Sequence, residues 1–241
     1  MRKILKAILF LALYTTGLSV FAQQTIITMP SSDVIPAGEI ILKQSNRFSP
    51  FGSDGFVSLT PQVIVGTGKD TEISVGAGTT IEDKTSVKMN LTAKKVFRIK
   101  RSARITVGGT LSPSLTEGTK PDSMIYAHGS YLVRETRTTL TAGGFVGGRG
   151  EFPTLTGVMM GIDQTIIPNK LRIVADWVSR NESWGSFAAG FKIRPEPTTS
   201  ITTAVIIPNN QEDRVAFSVS ISKYLGKVIE LPKKEEEKEA L

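Results

Sequence analysis

Along most of the chain, apolar and polar residues alternate with a period of two, the spacing that sends successive side chains of a strand to opposite faces. Between Val87 and Lys95, Val87, Met89, Leu91 and Ala93 alternate with Lys88, Asn90, Thr92 and Lys94. From Leu171, one face carries Leu171, Ile173, Ala175 and Trp177, and the other carries Arg172, Asp176 and Arg180. Val215, Phe217, Val219 and Ile221 alternate in the same way with Ala216, Ser218, Ser220 and Ser222. An apolar stripe at i, i+3, i+4, the mark of an amphipathic helix, is missing from all of these runs. About twelve such segments begin near residues 39, 55, 71, 85, 102, 123, 137, 154, 169, 184, 199 and 213. Most are about 9–11 residues long, enough for a tilted strand to cross a bilayer, whereas strands of soluble sandwiches average about 5–6. The expected fold is all-β, an antiparallel up-and-down transmembrane β-barrel of about twelve strands over residues 39–225.

An even strand number puts both ends of the barrel on one side. If the first strand rises outward, the odd connections are the extracellular ones and should be longer. The longest connection, Ser112 to Asp122, falls in that set, and the tightest, at Glu135-Thr136, does not. The polar face is rich in small residues, among them Ser74, Gly76, Gly78, Thr106, Gly108, Ser186, Ala188 and Gly190, which suits a confined interior. Phe56, Phe97, Trp177, Trp184 and Tyr224 sit near segment ends, where interfacial aromatic girdles are expected. A soluble periplasmic β-sandwich that binds a ligand is the competing reading of the same alternation.

The start of the chain adds a destination. Arg2, Lys3 and Lys6 precede an apolar run from Ala7 to Leu13, and Val20 and Ala22 offer the −3 and −1 positions of a cleavage site. Residues 1–22 therefore read as a secretory signal peptide, and no Cys follows to carry a lipid anchor. Residues 23–38 read as a periplasmic N-terminal segment, and residues 226–241, with Lys233-Lys234-Glu235-Glu236-Glu237-Lys238-Glu239, as a charged tail. The formal charge is +7, three of it in the signal, so the mature chain is too weakly basic to argue for nucleic acid.

Met29-Pro30-Ser31-Ser32-Asp33-Val34-Ile35-Pro36-Ala37-Gly38 and the stretch from Ile166 to Trp177 resemble segments of small porin-like outer-membrane barrels of Gram-negative bacteria. The resemblance implies a location in the outer membrane, contact with its lipids and handling by the barrel-assembly machinery. Such barrels commonly end on an aromatic residue; here the last strand is expected to end near Tyr224-Leu225, with Gly226 to Leu241 beyond it.

Candidate chemistry is sparse. On a strand, His128 and Ser130 share a face, which puts a nucleophile within reach of a base. The pair resembles the His-x-Ser of outer-membrane phospholipase A and the lipid A deacylase, and so implies a membrane lipid hydrolase as an alternative function. The third, orienting group of such a site is expected about a dozen residues on, where Thr138, Thr139 and Leu140 offer no carboxylate or Asn. Ile125, Ala127, Tyr131 and Val133 read as lipid-facing, which turns His128 and Ser130 inward as a lumen-lining polar pair. No carboxylates share a metal-ligand spacing, and Gly143 to Gly148 lacks the Lys-Ser/Thr of a phosphate loop, so neither metal nor cofactor is expected.

Charge on the inner face says more. Lys88, Lys94, Arg104, Arg134, Arg172, Arg180 and Lys192 are expected to line the lumen, against Glu72 and Asp176. In a water-filled lumen this excess favours small anionic solutes; the alternative is that the cations pair with carboxylates and close the interior. The expected function is a passive porin-like channel or a structural envelope protein, not an enzyme.

Overall fold

The computed structural model describes residues 25–50, 55–82, 84–117, 120–149, 155–180, 185–210 and 214–228. Its strands are β1 (Glu39–Phe48), β2 (Val57–Gly68), β3 (Thr71–Ile81), β4 (Ser86–Arg98), β5 (Ala103–Ser112), β6 (Asp122–Val133), β7 (Thr138–Arg149), β8 (Leu155–Ile167), β9 (Leu171–Val178), β10 (Ser186–Glu196), β11 (Thr199–Pro208) and β12 (Ala216–Lys227). Each pairs antiparallel with its neighbours in sequence, and β1 pairs with β12 from Glu39↔Lys227 to Phe48↔Phe217, which closes the barrel. Closure leaves no strand edge unpaired, the condition for sheet structure inside a bilayer. A two-sheet sandwich is ruled out by this single closed sheet.

The strands span 8–13 residues, and the connections sort by end. On the side of the chain termini they take two to four residues, and on the other side four to nine, the longest being 113–121. Short turns face the periplasm and long loops the exterior in barrels of this kind. The tightest links, two residues each, join β2 to β3 and β10 to β11, while the one at Glu135-Thr136 takes four. Lys69 and Asp70 of the first are both at positive φ (48° and 56°), the two-residue turn whose twist matches paired strands.

The alternation resolves into faces as the membrane reading requires. Ile73, Ile105, Val107, Ile125, Leu140, Met160, Ile173, Phe187, Phe191, Val205 and Ile221 are exposed around the outside. An apolar belt of this extent is unstable in water and natural in lipid. The inward face holds the polar and small positions. Two expected girdle aromatics do not point outward. Tyr224 lines an internal cavity, because it lies on the same face of β12 as Ser218, Ser220 and Ser222. Phe56 packs against Ala188, Ile206 and Ala216 at the long-loop end. Phe97 is exposed, and Trp184 lies outside the described residues, as do residues 1–24 and the tail beyond Val228.

The N-terminal segment changes the architecture most. Expected in the periplasm, its described part instead turns into the barrel, and the reason is visible in its side chains. Ile26, Met29 and Ile35 are buried, and Ile26 and Met29 join Tyr126, Phe145, Met159, Val174 and Val178 in an internal apolar cluster. Gly161 on β8 makes the room: a Cβ there would stand 2.6 Å from Ile26 Cδ1 and 2.8 Å from Met29 Sδ. The segment folds on itself as a small hairpin, with Ile26 N–H donating to Met29 O at 2.9 Å and a bridge between Thr25 and Pro30. It leaves toward the short-turn end, where Gly38 N–H donates to Gly66 O at 2.8 Å, and β1 begins at once.

Candidate pore interior

Asp176 of β9 holds the tip of the segment. Its Oδ2 accepts the backbone N–H groups of Ile27 (2.7 Å), Thr28 (2.8 Å) and Met29 (3.2 Å), and its Oδ1 accepts Thr28 Oγ1–H at 2.5 Å. A carboxylate that collects donors from one turn is a charge-assisted anchor, each such bond contributing about 1.5–3 kcal/mol. The side chain is 2% exposed, so the donors replace the water it has lost.

Lower down, β3–β6 grip the following residues. Lys94 of β4 donates to the carbonyls of Ser31 (3.1 Å) and Asp33, and pairs with Glu72 of β3 at 3.3 Å. Arg104 of β5 donates to Ser32 O at 3.2 Å and reaches Asp33 Oδ1 at 3.3 Å. The Ser32 hydroxyl shares hydrogen bonds with Thr106 Oγ1 (2.8 Å) and Ser130 Oγ (2.6 Å), and Ser130 with Thr141 Oγ1 (2.9 Å). Asp33 itself is placed between opposing influences. Burial raises its pKa, but Lys192, Arg172, Lys94 and Arg104 together outweigh that and bring it below the ordinary carboxylate value.

The remaining expected lining residues fall in different places. Lys88 points inward and pairs with Asp122, and Arg172 pairs with Asp163 at 2.6 Å. Lys192 also faces the interior, on a cavity wall. Arg134 and Arg180 do not belong to the lining strands. Arg134 lies in the turn after β6, exposed, with Nε donating to Ser102 Oγ at 3.1 Å. Arg180 lies past the end of β9 at φ 98°, its carbonyl held by the Asn209 amide at 2.8 Å. Arg134 stands one residue and Arg180 two residues beyond the end of its strand, where the alternation no longer assigns a face.

Sequence reasoning missed Lys43, Ser32 and Asp33, and gave Glu72 no partner. Lys43 sits on the inner face of β1 and donates to Thr25 Oγ1 at 2.9 Å. Its signal was present, since Ile41, Lys43, Ser45 and Arg47 alternate in β1 with Leu42, Gln44 and Asn46. Both faces of that strand are polar enough to hide which one is inner. Nothing in the alternation could have found Ser32 and Asp33, which sit on no strand.

On the side away from these contacts, the segment leaves open a cavity of about 290 Å³, walled by β10–β12, β1 and residues 25–27. Lys43, Lys192 and Arg194 reach it, with Thr202, Ser218, Ser220 and Ser222 between them and Pro197-Thr198 at its short-turn end. Toward the long-loop end, Ala188, Ile206 and Ala216, with Ile27 and Phe56 against them, form an apolar collar.

The His128–Ser130 pair faces inward, buried at 2% and 7% exposure. Among the described residues, neither ring nitrogen of His128 finds a hydrogen-bond partner, while the Ser130 hydroxyl is engaged by Ser32 and Thr141. The nucleophile–base hydrogen bond that a hydrolase needs is absent, and both groups are screened from lipid by the barrel wall. The ring stacks on Tyr126 (centroids 5.8 Å apart), a packing role that Gly143 permits by letting β7 approach His128 closely. Among the described residues, no cluster of His, Cys, Asp or Glu could hold a metal ion.

This architecture is that of a closed twelve-stranded antiparallel β-barrel. No protein-family model and no curated protein sequence matches the chain. Solved structures do match in fold. The KdgM porin aligns at TM-score 0.57 and 9% identity, over 76% of this chain and 98% of its own. A structure described as the KdgM porin in complex with disordered oligogalacturonate aligns at 0.55 and 9%, over 77% and 98%. An outer membrane channel from Pseudomonas putida F1 aligns at 0.55 and 8%, over 80% and 98%.

Proposed function

We propose that this protein is a passive, narrow outer-membrane channel that prefers small anions, with the path running beside the N-terminal segment. The observation that carries this reading is the cavity between the segment and the β10–β12–β1 wall, which three cations and a row of hydroxyls line and no carboxylate joins. Cations and hydroxyls on a pore wall lower the electrostatic and desolvation cost of an anion and raise it for a cation. The oligogalacturonate bound by one structural neighbour is an acidic solute, and its chemistry agrees with this preference. The apolar collar of Ala188, Ile206, Ala216, Ile27 and Phe56 stands on that path, and an apolar constriction resists wetting. Conductance is therefore expected to be small.

The test is electrical. The mature chain, folded in detergent and shown by heat-modifiable gel mobility to be a barrel, is inserted into planar bilayers under a salt gradient. A reversal potential of the sign set by chloride permeation supports the reading. A cation-selective current, or no current from a correctly folded barrel, overturns it. Lipid turnover assayed in parallel addresses the hydrolase reading, for which no activity is expected.

A further inference from the structure

Within that reading, on which this inference rests, seven of the interior cations divide into two populations. Lys88, Lys94, Arg104 and Arg172 each have a carboxylate at ion-pair distance. Among the described residues, Lys43, Lys192 and Arg194 have none within 4.0 Å, and all three reach one cavity. Asp33 and Asp163 act on Lys192 only at longer range and do not line the cavity. The Lys43 ammonium is held in place by Thr25 Oγ1; Ser218 and Ser222 stand on β12 as further donors, while the Ser220 hydroxyl between them donates to Ser45 Oγ.

The cavity also has a direction. Pro197, Thr198 and Tyr224 mark its short-turn end, residues 25–27 form its inner wall, and the apolar collar stands between it and the long loops. A ligand therefore reaches it from the periplasmic side, by the rule that short turns face the periplasm.

We propose that this cavity is a binding site for a small multivalent anion, a compound with two or three carboxylates or phosphates, entered from the periplasmic end. Three cations that converge without a protein carboxylate are matched by several negative charges on one molecule. Hydroxyl donors between them satisfy the remaining oxygens. A volume of about 290 Å³ admits a small acid and excludes a long chain. A monovalent anion leaves at least two of the cations unmatched and binds weakly.

Citrate and pyrophosphate serve as probes, titrated calorimetrically into the full mature chain in detergent, with acetate as the monovalent reference. Saturable citrate or pyrophosphate binding is expected, at least tenfold weakened in Lys192→Gln and in Arg194→Gln and unchanged in Lys88→Gln. The tighter of the two probes identifies the acid class. The same probe, added to single channels in planar bilayers, is expected to reduce current from one compartment only. The chain contains no Cys, so an impermeant thiol reagent acting on a Thr136→Cys variant reports which side carries the short turns.

Absent binding, equal weakening in Lys88→Gln, or equal block from both sides overturns the site. Where a substituted barrel loses heat-modifiable mobility, the other single substitution decides. Anion-selective current without citrate or pyrophosphate binding removes the site and leaves the channel reading standing. Binding without any current does the reverse.

Discussion

The two sides of the barrel interior use the same residue types for different ends. From β3 to β9 the inward cations and carboxylates neutralise one another or seize the N-terminal segment, so charge there serves as attachment. From β10 through β12 to β1, cations and serines face open space, so charge there remains available to a solute. The difference arises because most of the segment's contacts fall on one side, with Thr25 and Ile27 touching the other. Its apolar residues need the pocket formed by Tyr126, Phe145, Met159 and Val174, which the small inner residues of β10–β12 do not offer. Basic inner faces therefore do not by themselves mean a basic pore; what lies against them decides.

The comparison breaks most severely if the segment is released. Asp176→Ala removes the acceptor of three backbone N–H groups and the Thr28 hydroxyl. The loss is expected to be about 3 kcal/mol or more, the scale for stripping a buried charged partner. Both sides then open, and single-channel conductance should rise several-fold with more frequent full openings. Unchanged conductance would show that the segment does not limit the path.

Lys94→Met attacks the attachment from the other partner. It leaves Glu72, 1% exposed, without its cation and frees the carbonyls of Ser31 and Asp33. A loss of about 3 kcal/mol is expected, the range for breaking a buried pair on one side. The readout is a lower temperature for the heat-modifiable shift. Lys192→Met on the open side should leave that temperature within a degree or two and change selectivity instead. Equal thermal effects of the two would erase the distinction between the sides.

Much of the wall was legible in the sequence and little of the filling was. Alternation at membrane-crossing length depends on local pattern alone, and the strands, their number and the longer odd loops follow from it. Lys94 and Asp176 could be assigned to the inner face because each sits among apolar neighbours that fix the parity. Their partners could not be read. Asp176 binds residues 27–29, separated from it by up to 149 positions, and no periodicity links such distant groups. Met29 to Gly38 was noticed as a segment resembling other barrels, yet its Pro and Ser content gave no hint that it would enter one. Arg134 and Arg180 failed for a different reason: parity is meaningful only inside a strand, and both lie beyond an end.

Acid provides a milder probe of the attached side. Asp33 titrates below its ordinary 3.8, so its charge favours the docked segment, where Arg104 and Lys94 lie near it. A lowered folded-state value means that this contribution is complete above the free value and is lost as pH falls through the bound one. Open probability should therefore rise below about pH 4, the free-carboxylate range. Asp33→Asn should raise it already at neutral pH and flatten that dependence. A conductance that stays level down to pH 3 in the parent would remove Asp33 from the docking account.

Two serines give the finest comparison, since each makes a hydroxyl contact to another serine, Ser130 to one on the segment and Ser220 to one on the neighbouring strand. Ser130, 7% exposed, meets Ser32 of the segment at 2.6 Å and Thr141 at 2.9 Å; Ser220, on the cavity wall, meets Ser45 at 2.9 Å. Ser130→Ala strands the buried hydroxyls of Ser32 and Thr141 with fewer partners, at a cost of about 1 kcal/mol. Ser220→Ala lets water take the vacated place, so the change stays within about 0.5 kcal/mol. Chemical unfolding from detergent, followed by Trp fluorescence, resolves a difference of this size. If Ser220→Ala costs as much as Ser130→Ala, the cavity is drier than its lining suggests, and the open side is a second packed core.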